Sequence, residues 1–161
     1  MTVAEYNNCV DNYADSVYRF ILKNICDEEK ARDVVQEAFL RLWERRSEVK
    51  GGKSKSYLFT VAYHSMIDVI RKDKRQIPLE EHHNQDICYE TPAFDLQQVL
   101  HEALDKLPAI QKSVVLLRDY EGYSYEEIGE ITGLNESQVK VYIYRARVWL
   151  KNYIGSLQNV I

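Results

Sequence analysis

The sequence predicts an all-α protein built as two small helical domains joined by a flexible acidic linker. Three observations carry this. Apolar residues recur at three- and four-residue intervals along most of the chain, and no stretch alternates as a half-buried strand would. Only 6 glycines and 3 prolines interrupt 161 residues, of which 29% are charged, a balance that favours helix. The periodicity fails once, over residues 76–93, where proline, histidine, asparagine and acid replace it. The expected domains are therefore residues 1–75 and 94–161.

The first helix is expected over Val3–Ile25, with Val10, Tyr13, Ala14, Val17, Tyr18 and Ile21 as its apolar stripe. Asp27 is an N-cap for a second helix, running to about Arg46 and burying Ala31, Val34, Val35, Ala38, Leu42 and Trp43. Lys50-Gly51-Gly52-Lys53 reads as a flexible loop. Ser54 or Ser56 can cap a third helix to about Lys74, with Leu58, Val61, Ala62, Met66, Ile67 and Ile70 inward. Beyond the linker, residues 94–107 form a helix with Val99, Leu100, Ala103 and Leu104 on its inner face. Pro108 breaks it. Residues 109–119 form the next, burying Val114, Val115 and Leu117, and Glu121-Gly122 closes it.

Residues 125–147, YEEIGEITGLNESQVKVYIYRAR, read as a helix-turn-helix. Gly133 falls at the turn, and Leu134, Val139 and Tyr142 follow with helical spacing. A glycine inside a helix costs about 1 kcal/mol relative to alanine. Gly129 therefore predicts a close approach of the second helix at that point. The second helix presents Lys140, Tyr144, Arg145, Arg147 and Lys151, donors suited to phosphates and base edges.

The net charge of −4 is unusual for a DNA-binding chain, so its distribution decides. Arg41, Arg45, Arg46, Lys50, Lys53 and Lys55 form one basic cluster, and Arg71, Lys72, Lys74 and Arg75 a second. The last helix carries a third. Acid collects at residues 27–29 and 80–95, and at Glu126, Glu127 and Glu130. No apolar run is long enough to span a membrane, and the opening stretch lacks the basic start and apolar core of a signal peptide. Cys9, Cys26 and Cys88 are odd in number and widely spaced, which fits reduced thiols in a cytoplasm. A linker of about twenty extended residues reaches at most ~65–70 Å. That is about two turns of B-DNA.

Two blocks, DVVQEAFLRLWERR with SYLFTVAYHSMIDVIRKDKR and LDKLPAIQKSVVLLRDYEGYSYEEIGEITGLNESQVKVYIYRARVWLK, resemble regions 2 and 4 of a sigma-70 family sigma factor. A short linker between them resembles the extracytoplasmic-function (ECF) group. The resemblance covers about residues 13–154. It implies a cytoplasmic alternative sigma factor that binds RNA polymerase core at the beta-prime clamp helices and the beta flap. It also implies promoter DNA and an anti-sigma factor as partners. No catalytic residue, cofactor, metal or membrane insertion is expected.

The family's Asp-x-x-Gln-Glu-x-Phe pattern falls on Asp33, Gln36, Glu37 and Phe39, which implies core docking through Asp33, Gln36 and Glu37. Arg41 extends that surface, while Phe39, Leu42 and Trp43 are expected in the core. For the -10 element the resemblance implies the third helix and the loop before it. Tyr57, Tyr63 and His64 would stack on unpaired bases, and Arg71, Lys72, Lys74 and Arg75 would hold the backbone. Phe59 and Val61 are expected as core, whereas Tyr57 and Tyr63 suit either role. Many members have Arg-Asn where this chain has Tyr63-His64.

For the -35 element the match puts Lys140, Val141, Tyr144 and Arg145 in the major groove, Arg147 on phosphate, and Ser137 and Gln138 beside phosphates at the helix start. Val139, Ile143, Ala146 and Leu150 are expected as core. Val141 stands where a small polar residue is usual, and an apolar side chain there can meet a thymine methyl. The alternative reading is a stand-alone helix-turn-helix regulator that binds a palindrome as a dimer. A metal enzyme built on His82 and His83 is disfavoured, because the linker offers no rigid scaffold.

Overall fold

The computed structural model describes residues 1–76 and 96–158, all of whose regular structure is helical. The linker, with His82 and His83, lies outside the described residues. The chain divides into two units, one holding the first set of helices and one the second.

Unit 1 consists of α1 (Val3–Ile25), α2 (Glu28–Glu44) and α3 (Ser54–Gln76). Thr2 and Glu5 start α1 with a reciprocal capping box. Cys26 ends it in the left-handed region at φ 54°, its N–H bonded to the Leu22 carbonyl. Asp27 follows at once as the N-cap of α2, accepting from the Lys30 N–H at 3.1 Å. One stop and one start within two residues produce a tight reversal. Each helix then packs on the other two.

Val17, Phe20, Ile21, Ala31, Ala38, Leu42, Leu58, Phe59, Ala62 and Met66 form the core, with the Phe20 and Phe59 rings 5.7 Å apart. The buried face of α1 is shifted from the expected stripe. Val10, Tyr13, Ala14 and Tyr18 are only partly covered, whereas Cys9 and Phe20 are buried. A helix wedged between two partners buries more than one stripe, and α3 takes Phe20. Cys9 Sγ donates to Ser54 Oγ at 3.3 Å, joining α1 to the start of α3.

One expectation is corrected in unit 1. Gly51–Lys53 is a turn of 3₁₀ helix, with the Lys53 N–H on the Lys50 carbonyl at 2.9 Å, rather than a flexible loop. Cys9 is a buried free thiol.

Unit 2 consists of α4 (Leu96–Asp105), α5 (Ala109–Val115), α6 (Tyr125–Thr132) and α7 (Glu136–Gln158). The helix expected to reach residue 119 changes winding at Leu116. Residues Leu116–Tyr120 form a π turn, and the Glu121 N–H bonds the Leu116 carbonyl at 3.1 Å. Gly122, at φ 76°, then turns the chain. Val114, Leu117, Ile128, Ile131, Val139, Ile143 and Ala146 are buried around α7. Lys112 is buried with them, its ammonium 2.5 Å from the Asp105 carboxylate.

Both helices of the helix-turn-helix carry reciprocal caps. Ser124 and Glu127 box the start of α6, and Asn135 and Gln138 box the start of α7 at 2.8 and 3.0 Å. Gly133 closes α6 at φ 80°, with its N–H on the Gly129 carbonyl. A Cβ on Gly129 would lie 2.8 Å from the Leu134 carbonyl oxygen. Close approach is thus present at Gly129, but the turn makes it and not the second helix.

Candidate nucleic-acid and partner interfaces

Burial divides α7 into two faces. Val139, Ile143 and Ala146 are buried at helical spacing, and Leu150 is half-covered. Opposite them stand Ser137, Gln138, Lys140, Val141, Tyr144 and Arg145, all exposed. Tyr144 is 70% exposed and Val141 45%. Arg145 makes no ion pair or hydrogen bond among the described residues, so its whole donor fork is available.

Three of the expected groove or phosphate residues are engaged within the unit. Lys140 pairs with Glu136 at 3.4 Å and stands 5.8 Å from the Tyr125 ring. The Gln138 side-chain oxygen is spent on the Asn135 N–H, which leaves its amide donors for a phosphate. Arg147 departs most from expectation. Its Nη2 and Nε donate to the two Asp119 oxygens at 2.6 and 3.2 Å. Those hydrogen bonds raise its pKa further. Arg147 ties α7 to the π turn and is not a free phosphate donor. The sequence hid this because the partner is 28 residues away on an irregular turn.

On α3, residues 57, 64, 71 and 75 fall on one face. Tyr57 is half-buried, and His64, Arg71, Lys72, Lys74 and Arg75 are exposed. The four basic residues make no ion pair among the described residues. Asp73, set among them, is held by Lys30 of α2 with both carboxylate oxygens at 2.8 Å. Tyr63 is corrected from stacking surface to core. It is 5% exposed, and burial raises its hydroxyl pKa, against the pull of Arg71. A base needs an open ring face, and Tyr63 has none. His64, its neighbour, remains outside with its ring 5.8 Å from the Tyr63 ring.

On α2, Asp33, Gln36 and Arg41 are exposed and Glu37 is partly so. Arg41 Nε donates to Glu37 Oε1 at 2.9 Å, so part of the charge on this face is satisfied internally. Leu40 stands among them at 51% exposure. Sequence reasoning passed over it. Its place seven residues after Asp33 was the available signal, since residues 33, 36, 37 and 40 share a helix face. Behind it Phe39 is buried, Trp43 is partly covered, and Tyr6 from α1 donates to the Phe39 carbonyl at 3.1 Å. The Tyr6 and Trp43 rings meet edge to face at 4.9 Å, and Arg46 lies 4.0 Å over Trp43. These aromatic contacts fix α2 from behind.

Residues 9–76 match the family model for sigma-70 region 2, and residues 97–150 match that for sigma-70, region 4. The chain belongs to the sigma-70 family. Its curated relatives include RNA polymerase sigma factor SigV of Bacillus subtilis, 30% identical over 86% of this chain and 84% of SigV. The ECF RNA polymerase sigma factor SigM of the same organism is 28% identical over 86% of this chain and 88% of SigM. Such relatives place the chain in the ECF group. Among solved structures, the sigma factor RpoE of Bartonella quintana, in complex with the anti-sigma factor NepR, shares the fold with a TM-score of 0.76. It is 23% identical, over 95% of this chain and 98% of RpoE. Within the sigma-70 frame, α2 and α3 lie in region 2, and the helix-turn-helix of α6 and α7 lies in region 4.

Proposed function

We propose that the chain is an alternative sigma factor that carries RNA polymerase core to a dedicated set of promoters. The observation that carries this reading is the pairing of regions 2 and 4 in one chain, each presenting unpaired basic side chains on an exposed helix face. Unit 1 docks on the beta-prime clamp helices through Asp33, Gln36, Glu37 and Arg41, with Leu40 at the centre of the contact. Its α3 serves the -10 element, using Tyr57 and His64 for unpaired bases and Arg71, Lys72, Lys74 and Arg75 for the backbone. Unit 2 reads the -35 element beside the beta flap through Lys140, Val141, Tyr144 and Arg145, with Ser137 and the Gln138 amide near phosphate.

The chain performs no bond chemistry in this reading; initiation chemistry belongs to the polymerase, in the cytoplasm. No described helix is long and apolar enough to cross a membrane. An anti-sigma factor is also proposed as a partner, as found on the RpoE of similar fold.

Reconstituted transcription tests the whole reading. Core enzyme plus this chain is expected to initiate at specific sites on genomic fragments. Absence of specific initiation on every fragment sinks it, and dimeric binding to a palindrome without polymerase favours the stand-alone regulator.

Two variants separate the units. Asp33→Ala with Gln36→Ala is expected to weaken core binding by roughly tenfold or more, since two polar partners of a basic helix are lost. Normal affinity in a pull-down titration removes the docking assignment. Arg145→Ala is expected to lower promoter occupancy roughly tenfold, the scale of one bidentate contact to guanine. Core binding should be unchanged, and unaltered footprints count against the groove role.

A further inference from the structure

The exposed face of α7 carries a feature that a purely polar reading helix lacks. Val141, Tyr144 and Val148 follow one another at helical spacing, and they are 45%, 70% and 39% exposed. The first and last stand seven residues apart, about 10.5 Å along the axis. On α5 and α6, by contrast, the large apolar side chains Val114, Val115, Ile128 and Ile131 are buried. Lys140 is drawn aside by Glu136, and Arg145 stands free on the same face as the stripe.

We propose that Val141 and Tyr144 read the 5-methyl groups of thymines in the major groove, and so set part of the -35 preference. This rests on the sigma-factor reading of unit 2. The chemistry of the groove leaves one good match for an apolar branched side chain. Guanine, adenine and cytosine offer hydrogen-bonding atoms there, which Val141 would cover without bonding. Thymine alone offers a methyl group. Tyr144 adds a ring edge for a second methyl and a hydroxyl for an adjacent acceptor. Arg145, one residue on, has the fork for a neighbouring guanine. The stripe therefore predicts a thymine at the base pair facing Val141, flanked by a position that Arg145 specifies.

The test uses the full chain assembled with polymerase core. Two libraries of promoter duplexes are randomised over the -35 region, one made with thymine and one with deoxyuridine. Bound DNA is selected and sequenced from each. The thymine library is expected to yield a thymine-rich position that falls roughly fourfold in enrichment in the deoxyuridine library, the scale of one buried methyl. Val141→Ala, with the thymine library, is expected to lose the same position and keep the rest. Equal enrichment in both libraries overturns methyl reading while the sigma-factor reading stands. No enrichment anywhere in the -35 region overturns the sigma-factor reading of unit 2 itself. Loss of every position in Val141→Ala, with its helical melting curve unchanged, assigns Val141 a role in placing α7 and overturns the proposal.

Discussion

Replacing Gly129 with alanine is expected to lower the stability of unit 2 by roughly 2 kcal/mol, the middle of the range for forcing extra volume into a packed site. The sign is not obvious, because alanine is the better helix former by about 1 kcal/mol. The geometry decides it. The new Cβ would stand 2.8 Å from the Leu134 carbonyl oxygen, which belongs to backbone and cannot swing away as a side chain does. That carbonyl is pinned on both sides. Gly133 holds the end of α6 through its N–H to the Gly129 carbonyl at 2.8 Å, and the Asn135–Gln138 box holds the start of α7. Making room means opening the turn and tilting α7. A thermal melt followed by circular dichroism should show the unit 2 transition lowered by roughly 10 °C, with unit 1 unaffected. A variant as stable as the parent, or more so, would show that the turn yields freely.

The second large effect belongs to Asp105. Lys112 is buried, with its side chain 8% exposed, and the Asp105 carboxylate 2.5 Å away is 28% exposed. Asp105→Asn leaves a buried ammonium without its counter-charge and is expected to cost about 3 kcal/mol. Denaturant unfolding near neutral pH measures it. Burial already lowers the Lys112 pKa from 10.5, and Asp105 opposes that shift. Between the lowered value and 10.5 the unfolded chain holds more proton than the folded one. The Lys112 contribution to stability therefore rises with pH across that window. Below the window both states are charged and the cost of the buried ammonium is present in full. Removing the carboxylate lowers the Lys112 pKa further and extends the window towards neutrality. The deficit of Asp105→Asn should thus shrink as pH climbs towards the ordinary lysine range. Adding Lys112→Met should recover much of the loss at neutral pH. A deficit that ignores both changes would mean that the pair is solvated.

Much of the helical framework was legible because local chemistry dictates it. Asp27, Pro108 and Gly133 mark helix ends by rules that need only a few neighbours. Leu58, Val61, Ala62 and Met66 of α3 and Val139, Ile143 and Ala146 of α7 went inward as their spacing required, while Ile67, Ile70 and Leu150 are only partly covered. What stayed hidden depended on partners far along the chain. The shifted face of α1 follows from packing on two helices at once. The π winding after Val115 leaves no mark in the periodicity. Arg147 looked like a phosphate ligand because Asp119 is distant in sequence. Tyr63 suited either role by spacing, and only tertiary packing placed it inside. Leu40 was missed for the opposite reason, since an apolar residue in an amphipathic helix is assumed inward and this one is outward.

The bridge between Lys30 and Asp73 has a mechanical meaning. It fastens the first turn of α2 to the last turns of α3, where Arg71, Lys72, Lys74 and Arg75 stand. The helix proposed to carry the docking face and the helix proposed to carry the DNA row are thus parts of one braced frame, with a strut near its far end. For a chain seated on polymerase through α2, the seating alone aims the basic row, and a small rotation at the protein contact becomes a displacement along the DNA strand.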